Sequence, residues 1–216
     1  GFFEYRSGIE CNEVGFAPTG FKRLDKLLGG GLLNGGLYVM AARPGMGKTA
    51  FALTVADGIA RRGPVLFVSL EMDKEQITAR RLGRMSGISA TKLLMGKLDD
   101  AERSKLVDAS ELLSLLPMEI NRKPRATVDD IGNMARKVNG LRCIVVDYFG
   151  LIKPTGNRGS RYEDMTEISA ALKAMARTMK VPVLCLAQLN RENMGRTGKR
   201  PQLSDLRDTG ALEQDA

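Results

Sequence analysis

Continuous apolar runs alternate along the chain with stretches in which apolar residues recur at helical spacing. Apolar runs of strand length occur at residues 37–41, 65–70, 141–147 and 181–187, with a shorter one at 118–120. Runs that are apolar throughout are typical of parallel strands covered on both faces. The helical spacing predicts helices at 21–28, 50–60, 74–86, about 99–115, 127–139 and 162–180. Strands alternating with helices predict an α/β fold, with a mostly parallel sheet and helices on both faces.

The two ends of this pattern set the predicted domain boundaries. Residues 1–17 show no clear period and are interpreted as an arm or linker stub. Pro18-Thr19-Gly20-Phe21 then punctuates the chain. Residues 153–161 hold Lys, Pro, Gly, Asn and Arg, which indicates a flexible basic loop. No internal repeat is visible, so residues 18–216 are predicted to form one domain.

The strand at 37–41 runs into Ala42-Arg43-Pro44-Gly45-Met46-Gly47-Lys48-Thr49, and a helix follows. This order is that of a phosphate-binding loop, or P-loop, although the usual first Gly is Ala42 here. Gly45 and Gly47 let consecutive N–H groups point at one anion, and the helix N-terminus adds partial positive charge. Lys48 can reach the terminal phosphates, and Thr49 can bind a magnesium ion that bridges them. The predicted ATP-binding residues are Arg43, Pro44, Gly45, Met46, Gly47, Lys48, Thr49 and Ala50.

Three of the predicted strands are followed by polar side chains, namely Glu71, Asp147 and Gln188. Ligands of open parallel sheets bind beyond the carboxyl ends of the strands, so these groups should meet the P-loop around one nucleotide. Asp147 can hold the magnesium ion, Glu71 can accept a proton from the attacking water, and Gln188 can hydrogen-bond the γ-phosphate. The alternative for each acid is a helix cap or a solvated turn.

Composition narrows the possible functions. The 216 residues carry a net charge of +8, which fits either a polyanionic partner or a merely basic surface. The absence of His excludes imidazole bases, imidazole metal ligands and Ser–His hydrolysis. Three widely spaced cysteines fit a reducing cytoplasm. No apolar run reaches the roughly 18 residues of a membrane span, and the first residues lack a signal-peptide pattern.

Several blocks, taken in order, resemble the C-terminal, RecA-like motor domain of DnaB-type replicative helicases. The resemblance extends from Pro18 to Ala216 and is specific because the blocks occur together. They are Pro18-Thr19-Gly20-Phe21 with Leu24-Asp25, Ala42 to Thr49, Ser69-Leu70-Glu71-Met72, Asp147-Tyr148, Gln188-Leu189-Asn190-Arg191, and Asp205 to Asp215. The resemblance implies a RecA-like P-loop NTPase fold and an ATP-dependent DNA helicase.

The same resemblance implies roles for individual residues. It makes Glu71 the catalytic base and makes Lys48, Thr49 and Asp147 the ATP and magnesium contacts. It makes Gln188 a γ-phosphate sensor that links hydrolysis to DNA.

Further positions are carried over from the family with some departures. Arg80 matches an arginine that approaches the phosphates, the alternative being a surface arginine of a helix. Arg207, Asp208 and Gly210 match a loop that touches the DNA backbone. The family usually has Glu at the position of Asp208 and often has Gln at that of Gly150.

The implied partners are single-stranded DNA, a homo-hexamer of the full-length protein, a primase and a helicase loader. An arginine from the neighbouring subunit is expected from sequence beyond Ala216. Two alternatives stay open. One is a RadA-like recombination or repair ATPase, and the other is a KaiC-like regulatory switch that oligomerises on ATP. The Gly29-Gly30-Gly31-Leu32 run is similar to both.

Overall fold

The computed structural model describes residues 15–156 and 160–189. Its strands are β1 (Phe16–Ala17), β2 (Leu32–Leu33), β3 (Leu37–Ala42), β4 (Val65–Ser69), β5 (Met118–Arg122), β6 (Cys143–Asp147) and β7 (Val183–Gln188). Its helices are α1 (Lys22–Leu27), α2 (Lys48–Ala60), α3 (Lys74–Ser86), α4 (Ala90–Met95), α5 (Asp100–Ser114), α6 (Val128–Ala135) and α7 (Arg161–Met179). None of the helices in these two ranges is long and apolar enough to cross a membrane.

Strands β3 to β7 form one sheet in the order β3-β7-β6-β4-β5, and every pairing in it is parallel. The central strands β4 and β6 are buried along their whole length, and β7 is buried up to its last residue. The parallel pairings confirm the predicted sheet. The burial explains the apolar runs, because strands covered on both faces are typically apolar throughout. β1 and β2 form a separate antiparallel pair.

Helices cover both faces of the sheet, as predicted. On one face α2 packs against the strands, and the buried residues there include Leu53, Ile59 and Phe67. On the other face α6 and α7 pack against the strands, with Ile131 and Leu172 fully buried. Successive strand residues point to opposite faces, so β3, β4, β6 and β7 each contribute to both cores, whereas β5 at the edge contributes to one.

Element boundaries differ from the predicted ones in several places. The predicted helix 127–139 was wrong at its C-terminal end, because α6 ends at Ala135 and the chain then turns through Gly140 at φ 70°. β6 begins at Cys143 rather than at residue 141. β7 begins only at Val183, because Pro182 has no N–H to give to a strand ladder. The short helix α4 was not predicted at all.

The last residues of the predicted N-terminal arm belong to the packed structure. Phe16 and Ala17 pair with Leu33 and Leu32, and Ala17 is buried. The division of the chain at residue 18 stays a prediction, since residues 1–14 lie outside the described ranges.

Candidate active site

The loop between β3 and α2 has the backbone shape of an anion cradle. Gly45 and Gly47 adopt φ values of 76° and 78°, in the left-handed region that residues with a Cβ rarely occupy. A Cβ built on either glycine would meet nothing within 4 Å. The two glycines are therefore required by the backbone conformation, and the space in front of them is open to a ligand.

Helix α2 starts directly behind this loop and leaves its first turn uncapped. Gly47 is the N-cap residue, no side chain caps the helix, and no acidic residue lies in the first turn. The first N–H groups of a helix need an acceptor, and the helix dipole favours a negative one. The N-terminus of α2 is therefore suited to phosphate, in agreement with the glycine loop beside it.

Thr49 and Asp147 form a polar pair at the base of the cleft. The Thr49 hydroxyl donates a hydrogen bond of 2.8 Å to Asp147 Oδ2. Asp147 is 1% exposed, and its Oδ1 has no hydrogen-bond partner among the described residues. Burial raises the pKa of Asp147, although the Thr49 hydrogen bond and the Lys48 charge oppose this. A buried carboxylate oxygen without a partner, next to a threonine hydroxyl, fits a hard divalent cation such as Mg²⁺.

The described residues hold no cluster of three or more His, Cys, Asp or Glu side chains that could bind a metal. Mg²⁺ is usually bound through one or two carboxylates together with substrate phosphates and several waters.

Lys48 lines the open cleft and feels the charges of two carboxylates, Asp147 and Glu71. Burial lowers the pKa of its ammonium group, while the negative charges of Asp147 and Glu71 act in the opposite direction. Its Nζ lies 4.5 Å from the centroid of the Tyr148 ring. Lys48 lines the same cleft as Gly45 and Gly47, so its ammonium group is available to phosphates bound at the glycine loop.

The glycine loop, Lys48 and Thr49 border one cleft of about 610 Å³ at the carboxyl edge of the sheet. The lining residues are Ala42, Arg43, Pro44, Gly45, Gly47, Lys48, Thr49, Glu71, Met72, Gln76, Arg80, Ala90, Thr91, Leu94 and Gln188. The register explains why they meet, since Ala42 pairs with Gln188 and Ser69 pairs with Asp147. Parallel pairing places all these strand ends at the same edge.

A tight turn presents Glu71 to the cleft. The Ser69 hydroxyl donates to the Met72 carbonyl at 2.6 Å and accepts from the Met72 N–H at 3.0 Å. Helix α3 then begins with a capping box between Asp73 and Gln76. Glu71 is consequently exposed two residues beyond the end of β4.

The structure brings most of the sequence-predicted site residues together. Asp147 does not line the cleft itself but lies beneath Thr49, and Met46 and Ala50 are exposed outside the lining. The proposed DNA contacts Arg207, Asp208 and Gly210 lie outside the described residues.

Sequence reasoning missed part of the cleft lining. Residues Ala90, Thr91 and Leu94 of α4 line the cleft, together with Met72 and Gln76. The local signals were weak, namely Ser89, a residue type favoured at helix N-termini, and the C-cap Gly96, on either side of a stretch of only six helical residues.

The site and the fold together define a class of protein. A parallel sheet with a glycine loop before a helix, and with polar groups at neighbouring strand ends, is the arrangement of a RecA-like ATPase domain. The family model of the DnaB-like helicase C terminal domain matches residues 17–216. The chain belongs to this family.

Curated relatives agree with this family. The chain is 40% identical over 210 residues to the "Replicative DNA helicase DnaB" of Geobacillus stearothermophilus, covering 94% of this chain and 46% of the relative. It is also 40% identical over 205 residues to the "Replicative DNA helicase DnaC" of Bacillus subtilis (strain 168), covering 92% and 45%. The chain thus spans somewhat under half the length of these relatives.

Solved structures agree as well. The chain is similar to "The Structure Of A DnaB-Like Replicative Helicase And Its Interactions With Primase", with a TM-score of 0.88, 34% identity, and coverage of 100% of this chain and 54% of that one. It is similar to a second solved structure, of an isolated ATPase domain, with a TM-score of 0.89 and 34% identity, covering 100% and 79%. A RadB recombinase shares only the fold, at a TM-score of 0.55 and 21% identity over 91% and 80%.

Proposed function

We propose that this chain is the ATP-hydrolysing motor domain of a replicative DNA helicase, which couples ATP hydrolysis to movement along single-stranded DNA and to unwinding of the duplex. The observation that carries the proposal is the Thr49–Asp147 pair with its unpartnered buried oxygen, next to the glycine cradle and Lys48. Family membership supplies the link to DNA.

The proposed roles follow from where each group lies. The N–H groups of the loop and of the first turn of α2 bind the phosphates, and Lys48 places its charge on the terminal ones. Thr49 and Asp147 would hold Mg²⁺, and a bound Mg²⁺ would supply charge neutralisation at the phosphate oxygens. Glu71 is exposed at the cleft, where it can orient the attacking water and take its proton.

Two further side chains complete the proposed site. Arg80 lines the cleft from α3 and adds a second cation near the phosphates. Gln188, the exposed last residue of β7, can hydrogen-bond the γ-phosphate. The family resemblance makes Gln188 the residue that links the state of the γ-phosphate to DNA, and makes Arg207, Asp208 and Gly210 the DNA contacts.

The remaining partners are proposed from the family. They are single-stranded DNA, a homo-hexamer of the longer protein, a helicase loader and a primase, which is the partner named for one similar helicase structure. The cytoplasm is the proposed location. The family match favours the helicase over the RadA-like and KaiC-like alternatives.

The experiment is ATP-dependent strand displacement on a forked DNA substrate by the full-length protein, with ATP binding and turnover measured separately. Lys48→Ala is expected to lose both ATP binding and turnover. Glu71→Gln is expected to keep ATP–Mg²⁺ binding and lose about 10²–10⁴-fold in turnover, because an amide cannot take the proton. Asp147→Asn should instead weaken Mg²⁺ binding, so that half-maximal turnover requires a higher Mg²⁺ concentration.

Glu75→Gln is the matched control for Glu71→Gln, since Glu75 is an exposed glutamate of α3 that does not line the nucleotide cleft. It should leave turnover unchanged. Normal turnover in Glu71→Gln would remove Glu71 as the base. A full-length protein that hydrolyses ATP but never displaces a strand would refute the helicase function.

A further inference from the structure

The ammonium group of Lys48 is held by an aromatic ring rather than by a carboxylate. Its Nζ lies 4.5 Å from the centroid of the Tyr148 ring, within the range of a cation–π contact. No described carboxylate lies within 4.0 Å of it, although both Asp147 and Glu71 act on its charge. The ring face is therefore the direct partner of this cation among the described residues.

The kind of partner matters for a lysine that must bind phosphate. A salt bridge between Lys48 and a half-buried carboxylate would have to be broken before the ammonium group could turn to the nucleotide. An aromatic face attracts the cation but carries no opposite charge that would neutralise it. The charge-assisted hydrogen bonds from Lys48 to phosphate are therefore expected to be stronger than its contact with the ring.

The backbone around Tyr148 fixes the ring in this place. Asp147 before it and Phe149 after it are buried, at 1% and 0% exposure. The Tyr148 carbonyl accepts a hydrogen bond of 3.1 Å from the Leu151 N–H, which closes the short 3-10 turn Phe149–Leu151. The ring thus projects from an anchored segment.

A side chain at position 150 would press against the Tyr148 ring. A Cβ built on Gly150 would lie 3.1 Å from Cε2 of the Tyr148 ring, closer than side chains normally pack. Gly150 itself is exposed and its φ is not in the left-handed region, so its backbone conformation does not require glycine. The atoms that a side chain at position 150 would meet first are those of the Tyr148 ring, and this observation does not depend on the Lys48 contact.

We propose that Tyr148 is a positioning residue for Lys48: its ring face holds the ammonium group at the mouth of the P-loop, away from Asp147 and Glu71, until nucleotide phosphates take it. This inference rests on the proposed function, since it assigns Lys48 to the phosphates. Without the ring, the nearest attractive groups for Lys48 are the two carboxylates, and the nucleotide has to compete with them.

The first test compares Tyr148→Leu with Tyr148→Phe, which keeps an aromatic face. Affinity for the non-hydrolysable ATP analogue adenylyl imidodiphosphate with Mg²⁺ is measured by calorimetry. Tyr148→Leu should bind it about 2- to 30-fold more weakly, the range of a cation–π contact, and Tyr148→Phe should restore most of the affinity. AMP has no terminal phosphates for Lys48, so its affinity should not change.

Tyr162→Leu is the matched control, because Tyr162 is an exposed tyrosine of α7 and should affect neither ligand. Gly150→Ala should change analogue binding in the native background, because the ring has to shift by a few tenths of an ångström, and should have no further effect in Tyr148→Leu, because it acts only through the ring. A Gly150→Ala effect of equal size in both backgrounds would contradict this.

The second test observes the contact itself by NMR of the lysine Cε–H groups, with Lys48→Ala to assign the signal. The ring current should shift the Lys48 signal upfield in the native protein and in Tyr148→Phe, and the shift should disappear when the analogue binds. A native Lys48 signal at the position of a free lysine would overturn the inference even if Tyr148→Leu fails to fold.

The two tests separate this inference from the proposed function. A native protein that shows the upfield shift but binds no ATP analogue refutes the function alone. A native protein that binds the analogue, with Tyr148→Leu binding equally well, refutes the role of Tyr148 alone.

Discussion

Asp57 places a buried negative charge on α2, and two arginines of α3 hold it. Arg81 donates to Asp57 Oδ1 through Nε at 2.9 Å and through Nη2 at 2.6 Å, and Arg84 donates to Oδ2. Asp57 and Arg81 are 4% and 7% exposed, whereas the Arg84 side chain is 34% exposed. We predict that Arg81→Met strongly destabilises the fold, because Asp57 Oδ1 loses both of its donors.

The expected magnitude follows from the burial. Removing one partner of a buried ion pair costs about 3–5 kcal/mol, since the other charge stays buried without compensation. Arg84 still pairs with Oδ2 in this variant, so the lower end, about 3 kcal/mol, is expected. For a domain of this size that corresponds to a fall in Tm of about 6–12 °C.

The assay is urea unfolding followed by circular dichroism, together with thermal unfolding. Arg84→Met is the control, because its guanidinium group is partly solvated, and it should cost only about 1 kcal/mol. The double variant Asp57→Leu with Arg81→Met removes both buried charges and should recover at least about 2 kcal/mol relative to the sum of the single variants. Single effects that simply add, or an Arg81→Met variant within about 1 kcal/mol of the native protein, would refute the reasoning.

Two further predictions concern packing and the buried thiols. Gly58→Ala should destabilise the fold by about 1–3 kcal/mol in the same urea assay, because the added Cβ would lie 2.1 Å from the Thr19 carbonyl oxygen. Gly132, inside α6, is the control: a Cβ added there would meet no atom closer than 3.6 Å, so Gly132→Ala should stabilise by about 0.5–1 kcal/mol. Burial raises the pKa of Cys143 to about 12 and that of Cys185 further still, so peptide-resolved mass spectrometry should find both unalkylated in the native protein at about pH 8 and alkylated after unfolding. Rapid alkylation of the native protein would contradict the burial. The native state binds the two thiol protons more tightly than the unfolded state, so their contribution to stability should fall as the pH rises above about 8.5.

Local patterns were enough to predict the frame of the site. The glycine loop, its strand and its helix are contiguous in sequence, so spacing alone located the cradle at Gly45 and Gly47. Parallel strands have their carboxyl ends at one edge, so Glu71, Asp147 and Gln188 could be assigned to the same edge without knowing the strand order.

Groups that meet only through tertiary packing could not be predicted in this way. Asp57 stands in a helix where a polar residue normally faces solvent, and its partner Arg81 is 24 residues away on another helix. Arg81 also directly follows Arg80, which faces the cleft, and nothing local distinguishes the two arginines. The contact between Lys48 and Tyr148 depends on a ring orientation, which no spacing encodes.

Asp147, Glu71 and Gln188 share one edge of the sheet but differ in how far they are exposed to solvent. This exposure determines which chemical role suits each of them. Asp147 is the last residue of β6, is 1% exposed and has one oxygen fixed by Thr49, which suits a group proposed to hold a cation in a fixed place. Glu71 lies two residues beyond β4 and is exposed, and a proposed base has to reach water and release its proton again. Gln188 ends β7 and is also exposed, at the point where the chain leaves the sheet. The sheet register, in which Ser69 rather than Glu71 pairs with Asp147, produces this difference. Moving the acid from Glu71 to Ser69 would bury both carboxylates side by side, where like charges raise the pKa of one of them.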